Sequence, residues 1–195
     1  IVAGNVLSQG RNVLYITMEM AEERIAERID ANLLNIPLDQ LQHISKPMLT
    51  SKVEDIAAKN NGKLIIKEYP TGAAHAGHFR ALLNELKLKK NFVPEMIFID
   101  YLNICSSSRM KGMGGSINSY TYIKAIAEEL RGLAVEFDVP IVSATQTTRS
   151  GFTSLPLEAL AGFYKEHASI ARMHVEFPEA EVCRDALPWG LISAY

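Results

Sequence analysis

Three polar side chains stand at the ends of three short apolar runs: Glu19 after VLYITM, Asp100 after MIFI and Gln146 after PIVSAT. A carboxylate held at the end of a buried strand can position Mg2+, usually through water, beside a triphosphate. A second carboxylate can polarise the water that attacks a γ-phosphate. An amide can report on that phosphate by switching hydrogen-bond partners. Taken together, the three point to nucleotide hydrolysis. Each also has an ordinary alternative. Asp100 can cap a turn, Glu19 can sit at a helix start where the macrodipole favours it, and Gln146 can satisfy a strand end.

The elements that must carry these groups alternate along the chain. Asn12–Thr17, Lys63–Glu68, Glu95–Tyr101 and Val139–Ala144 are short, apolar and rich in β-branched residues, as buried parallel strands are. Between them lie helical patterns. Ala21–Leu34 places Ile25, Ile29 and Leu33 at a spacing of four, with Glu22, Glu23, Arg24, Glu27 and Arg28 on the wet side. A weaker helix runs from about Leu49 to Lys59, after the break at Pro37. Gly77–Lys90 ends in Lys87, Lys89 and Lys90, the favourable sign at a helix C-terminus. Tyr120–Phe137 carries Ile123, Ile126, Leu130 and Leu133 on one face. Ser106–Ser119 holds three Gly and five Ser and reads as a loop. The opening IVAGNVL reads as the end of a helix closed by Gly10. An α/β fold follows, with a parallel sheet flanked by helices. Ligands of such sheets bind beyond the carboxyl ends of the strands, where the three polar groups stand.

Composition narrows the class. A chain of 195 residues, 48% apolar and 22% charged, has the make-up of a soluble globular domain with a sizeable core. A net charge of -2 gives no global basic field, although a loop can still concentrate a few basic groups. Two cysteines, Cys105 and Cys183, make no disulfide framework, which favours a reducing cytoplasm. No apolar run approaches the roughly 18 residues that span a membrane. His75 and His78 lack a nearby third ligand and read as a solvated helix start. His167, His174, Glu166, Cys183 and Asp185 are too scattered for a metal site. Cys105 reads as a packed thiol. Arg109, Lys111 and Arg149 are either phosphate contacts or solvated cations. Ser143 has no histidine partner motif that would make it a nucleophile.

The residues also carry a resemblance. VLYITMEMAEERIAERID (13–30), YPTGA (69–73), LLNELKLKKNFVP (82–94), FIDYLNIC (98–105) and SYTYIKAIAEELRGLAVE (119–136) resemble DnaB-type replicative hexameric helicases. Within that family they are most similar to those of T-even-type bacteriophages. The resemblance implies a RecA-like P-loop NTPase core that works as a homo-hexameric ring around single-stranded DNA. It implies ATP and Mg2+ as cofactors, 5′-3′ unwinding in phage DNA replication, and primase and other replisome proteins as partners. The setting would be the cytoplasm of a phage-infected bacterial cell. By position it makes Glu19 the catalytic base, Asp100 the Mg2+-linked carboxylate, and Gln146 the sensor that couples nucleotide state to DNA.

Two departures accompany the resemblance. The family's phosphate loop should lie just before Ile1, and no G-x-x-x-x-G-K-[ST] occurs in the sequence, so the core is expected to be incomplete at its N-terminus. Residues 1–195 alone are therefore expected not to hydrolyse ATP. After about Thr153 the resemblance ends, which divides the chain into a partial ATPase domain (1–152) and a divergent tail (153–195). Leu157–Met173 has a crude helical stripe, and the tail as a whole is expected to pack poorly on the sheet. Two other readings stay open: a non-catalytic RecA-like module that binds DNA or a partner, and a RecA/RadA-type recombination ATPase.

Overall fold

A computed structural model describes residues 1–41, 43–59, 62–110, 119–145 and 190–194. Helix α1 (Val2–Ser8) leads into β1 (Val13–Thr17), and α2 (Glu22–Leu34) follows. The chain continues through α3 (Leu38–Leu41), α4 (Lys46–Lys59), β2 (Leu64–Glu68), α5 (Ala76–Lys90) and β3 (Met96–Asp100). A short 3-10 turn (Leu102–Ile104), α6 (Ser119–Phe137), β4 (Ile141–Thr145) and β5 (Gly190–Ala194) complete the described elements. The boundaries follow local chemistry. The chain turns out of α1 at Gly10, with φ at 78°. Asn35 and Asn91 take left-handed conformations that close α2 and α5. Helix α4 starts three residues earlier than its apolar pattern suggests, because Pro47 is tolerated in a first helical turn. The single turn of α3 after Pro37 has no buried residue and no periodic signal in the sequence.

The sheet order is β2-β1-β3-β4-β5, with the first four strands parallel. Chain order reverses about β1: the next strand, β2, lies on one side, and β3 returns to the other. That switch opens a crevice at the carboxyl ends of β1 and β3. The parallel, helix-flanked sheet expected from the sequence is the one found.

Strand alternation sends each side of the sheet into its own core. Leu14, Ile16, Ile97, Ile99 and Ile141 meet Phe79, Leu83 and Leu86 of α5 and Ile126, Leu130 and Leu133 of α6. Val13, Phe98 and Val142 meet Ala3 and Leu7 of α1 and Ile25 and Ile29 of α2. Burying an aliphatic or aromatic side chain of this kind contributes about 1.5–3 kcal/mol, so the central strands are held from both faces. The outer edge is a correction to the sequence reading. Gly190–Ala194 pairs antiparallel with β4, opposite Val142–Thr145, and adds a fifth strand. Five residues behind Pro188, beginning with glycine, carry too little periodicity to announce a strand, and the open edge of β4 supplies the partner.

Candidate nucleotide site

The crevice is built from β1 and β3. Their register pairs Val13 with Met96, Tyr15 with Phe98 and Thr17 with Asp100. Asp100 therefore ends its strand directly beside the end of β1. Glu19 lies two residues beyond Thr17, exposed, in the turn between β1 and α2. The chain leaves β3 through a cis Asp100–Tyr101 peptide bond.

The Glu19 turn is tied down at several points. Thr17, fully buried, donates its hydroxyl to the Met20 carbonyl (2.9 Å) and accepts from the Met20 N–H (3.1 Å). The Met18 N–H donates to the Asp100 carbonyl at 3.0 Å, so the turn is fastened to β3. The Thr71 hydroxyl, in the YPTGA segment, donates to the Met18 carbonyl at 2.7 Å. The Gly72 N–H in turn donates to the Ile104 carbonyl (2.9 Å), and the Ser106 N–H to the Ala74 carbonyl (2.7 Å). YPTGA thus joins the Glu19 turn to the segment after Asp100. Both carboxylates raise the pKa of the Tyr101 phenol, after burial as the first cause, which places Glu19 and Asp100 within electrostatic reach of one ring.

Asp100 is half-buried and turns toward the α1/α2 side of the sheet, the side that Phe98 also faces. Its Oδ2 accepts a hydrogen bond from the Tyr15 hydroxyl at 3.0 Å. The Tyr15 ring stacks on Phe98, with centroids 5.9 Å apart and planes at 15°. Burial first, then the charge and hydrogen bond of Asp100, push the Tyr15 phenol far above its ordinary range, while Arg28 acts in the opposite sense. Tyr15, Arg28, Asp100 and Ser143 share a cavity of ≈ 290 Å³ with Ile1 and Val2 at the start of α1. A second cavity of equal volume, lined by Asn84, Lys87, Phe92 and Glu136, lies at the amino edge of the sheet, away from both carboxylates.

Glu19 and Asp100 are thus brought to one edge on neighbouring strands. Gln146 and Arg149 lie outside the described residues, as do Lys111, the scattered tail groups from Glu166 to Asp185, and the Leu157–Met173 stripe. Other side chains singled out in the sequence have structural roles. His75 Nδ1 accepts from the Gly77 N–H (3.0 Å) and His78 Nδ1 from the His75 N–H (3.2 Å), so the two imidazoles cap α5. Burial pushes the Cys105 thiol up to about 12, which makes it a packed thiol with little thiolate character. Ser143 donates to the Ile99 carbonyl at 2.8 Å, a bridge between β3 and β4. Arg109 pairs with Glu128 at 2.9 Å.

Sequence reasoning missed Glu129. This buried carboxylate on α6 accepts from the Ser107 and Ser108 hydroxyls (2.6 and 2.7 Å) and from the Ser108 and Arg109 N–H groups (3.1 and 3.3 Å). Burial acts to raise its pKa, but the four hydrogen bonds outweigh that and hold it below the ordinary carboxylate range. In sequence it is one glutamate of an ordinary EEL run, and only its position in the α6 stripe between Ile126 and Leu133 hinted at burial.

Comparison with known proteins sharpens the picture. The DnaB-like helicase C terminal domain family matches residues 1–153. The chain belongs to the DnaB-like helicase family. It is 53% identical over 156 residues to the DnaB-like replicative helicase of Enterobacteria phage T4, covering 78% of this chain and 32% of that protein. A probable plasmid replicative DNA helicase of Chlamydia psittaci is 33% identical over 149 residues, covering 74% of this chain and 30% of that protein. The chain thus spans about a third of the length of these DnaB-like relatives. Among solved structures, a DnaB-like replicative helicase studied for its interactions with primase overlays with a TM-score of 0.59 at 16% identity, over 78% of this chain and 36% of that one. A second solved structure, an ATPase domain, overlays with a TM-score of 0.53, also at 16% identity, over 71% of this chain and 48% of that one. At that identity the overlays speak to the fold, and the RecA-like ATPase core expected from the sequence is the fold they share.

Proposed function

We propose that the chain forms part of the nucleotide-hydrolysing core of a replicative DNA helicase, with Glu19 as general base and Asp100 as the carboxylate linked to Mg2+. The observation that carries this reading is the placement of Glu19 and Asp100 at the carboxyl ends of adjacent parallel strands, on either side of the switch point. The donor set suits Mg2+ bound to a nucleotide. No cluster of three or more His, Cys, Asp or Glu among the described residues can cage a metal. Mg2+ keeps several waters and is commonly held by one or two carboxylates plus substrate phosphates, which is what a single strand-end aspartate offers. When bound, the ion would supply charge neutralisation on the β- and γ-phosphates.

The protein's own part is positional. Thr17, Thr71 and the Met18 amide fix the turn from which Glu19 reaches the attacking water. Arg28 adds positive charge to the cavity wall beside Asp100, favourable for an anionic ligand. In this reading Gln146 senses the γ-phosphate, and Arg149 meets the phosphates of single-stranded DNA. The working form is a homo-hexameric ring that moves 5′-3′ and meets primase in the cytoplasm of a phage-infected cell, as the resemblance to the phage helicases implies. Among the described residues, no helix is long and apolar enough to cross a membrane.

The test is Glu19→Gln in the full-length protein. Nucleotide binding should stay near wild type while ATP turnover falls by about 10²-fold or more, the scale for losing a positioned base. Near-wild-type turnover would return Glu19 to the role of a helix-start residue.

A further inference from the structure

We propose that Tyr15 is a positioning residue for Asp100, its hydroxyl fixing one carboxylate oxygen so that the other is presented to the hydrated divalent cation of a bound nucleotide. The inference rests on the assignment of Asp100 to that cation. The register places the two correctly: Tyr15 pairs with Phe98, so Asp100 is its diagonal neighbour on the same face, within reach of an aromatic side chain. The ring is held by the core rather than by the site, since it stacks on Phe98 and borders the cluster of Val13, Ile25 and Ile29. From that anchored ring the hydroxyl reaches Oδ2 at 3.0 Å, and Oδ1 takes no hydrogen bond among the described residues.

The terminal torsion of an aspartate is broad, so an unsupported carboxylate would rotate freely at the strand end. A hydrogen bond from a fixed phenol removes that freedom before the ligand arrives. Packing alone does not explain the hydroxyl, because phenylalanine would fill the same space and stack equally well on Phe98. Partners that orient a metal-linked ligand in this way commonly change metal affinity by about 10–100-fold when removed.

The experiment compares wild type, Tyr15→Phe and Asp100→Asn in the full-length protein. It reads the Mg2+ concentration for half-maximal binding of a fluorescent ATP analogue, together with the thermal midpoint. Tyr15→Phe should raise the Mg2+ requirement by about tenfold, the lower end for such a partner, with a thermal midpoint near wild type. Saturating Mg2+ should restore both binding and turnover, which a merely structural lesion would not allow. Phe98→Leu gives a second reading: it loosens the ring but keeps the hydroxyl, and should shift the requirement less, in the same direction. If Asp100→Asn shifts the Mg2+ dependence while neither Tyr15→Phe nor Phe98→Leu does, the role of Tyr15 is overturned and that of Asp100 stands. If Asp100→Asn also leaves it unchanged, the assignment of Asp100 fails and the inference fails with it.

Discussion

Thr17 performs no chemistry in the proposed site but fastens the turn that carries Glu19. It is fully buried, and both hydrogen-bonding functions of its hydroxyl go to Met20, one residue past Glu19. Thr17→Val keeps the shape and removes both bonds. Chemical denaturation should show a loss of about 1–2 kcal/mol, the range for one or two neutral hydrogen bonds with a partner left unpaired. On the role proposed for Glu19, ATP turnover in the full-length protein should fall more than that stability loss explains, by about tenfold or more, because a base displaced by a fraction of an ångström loses its alignment. Unchanged turnover would mean that the Met18 and Thr71 contacts fix Glu19 by themselves. The sequence singled out Glu19 and Asp100 as candidates because strand-end carboxylates stand out against apolar runs. It did not identify Tyr15 or Thr17, since an aromatic or β-branched residue inside a strand looks like core whether or not its hydroxyl is used.

Between elements, Glu129 ties α6 to the segment that follows β3. Four donors from Ser107, Ser108 and Arg109 converge on one buried carboxylate. Glu129→Ala should cost about 2–4 kcal/mol, since charged hydrogen bonds are lost and buried donors are left unpaired. Glu129→Gln should cost less, because the amide still offers one acceptor. The pH dependence follows from the lowered pKa. The folded carboxyl binds its proton less readily than the unfolded one, so its contribution is complete above the ordinary carboxylate range and fades as pH falls through the folded value. Urea midpoints measured between about pH 7 and about pH 3 should therefore fall more steeply for wild type than for Glu129→Gln. Parallel slopes would show that other carboxylates dominate. The bidentate Arg80–Glu136 pair between α5 and α6 is nearly half exposed and should matter little, because solvent and salt screen such a pair.

At the scale of the whole molecule, the two cores grip the sheet unequally along its width. β1, β3 and β4 have strand neighbours on both sides and carry side chains into both cores, whereas β2 and Gly190–Ala194 form the edges. Native-state hydrogen exchange should therefore find the slowest amides in Val13–Ile16, Ile97–Ile99 and Ile141–Ser143. Gly190–Ala194, an edge strand whose pairing with β4 shifts register between Ala144 and Thr145, should exchange faster than these but slower than free chain. Exchange in Gly190–Ala194 at the free-chain rate would mean that the antiparallel edge does not persist in solution.

By itself the sequence determined the four parallel strands, the long helices α2, α5 and α6, and the two carboxylates at the strand ends. These are matters of local periodicity and of polar residues that interrupt it, and both are written within a few residues. The family motifs added the RecA-like core. Tertiary structure alone decided the strand order that sets Asp100 beside the Glu19 turn, the Tyr15–Asp100 hydrogen bond, the burial of Glu129 and the pairing of Gly190–Ala194 with β4. The partners in these contacts are far apart in the chain, 22 positions for Ser107 and Glu129 and 85 for Tyr15 and Asp100. A contact across such a distance depends on which surfaces the whole chain brings together, and no local pattern encodes that choice.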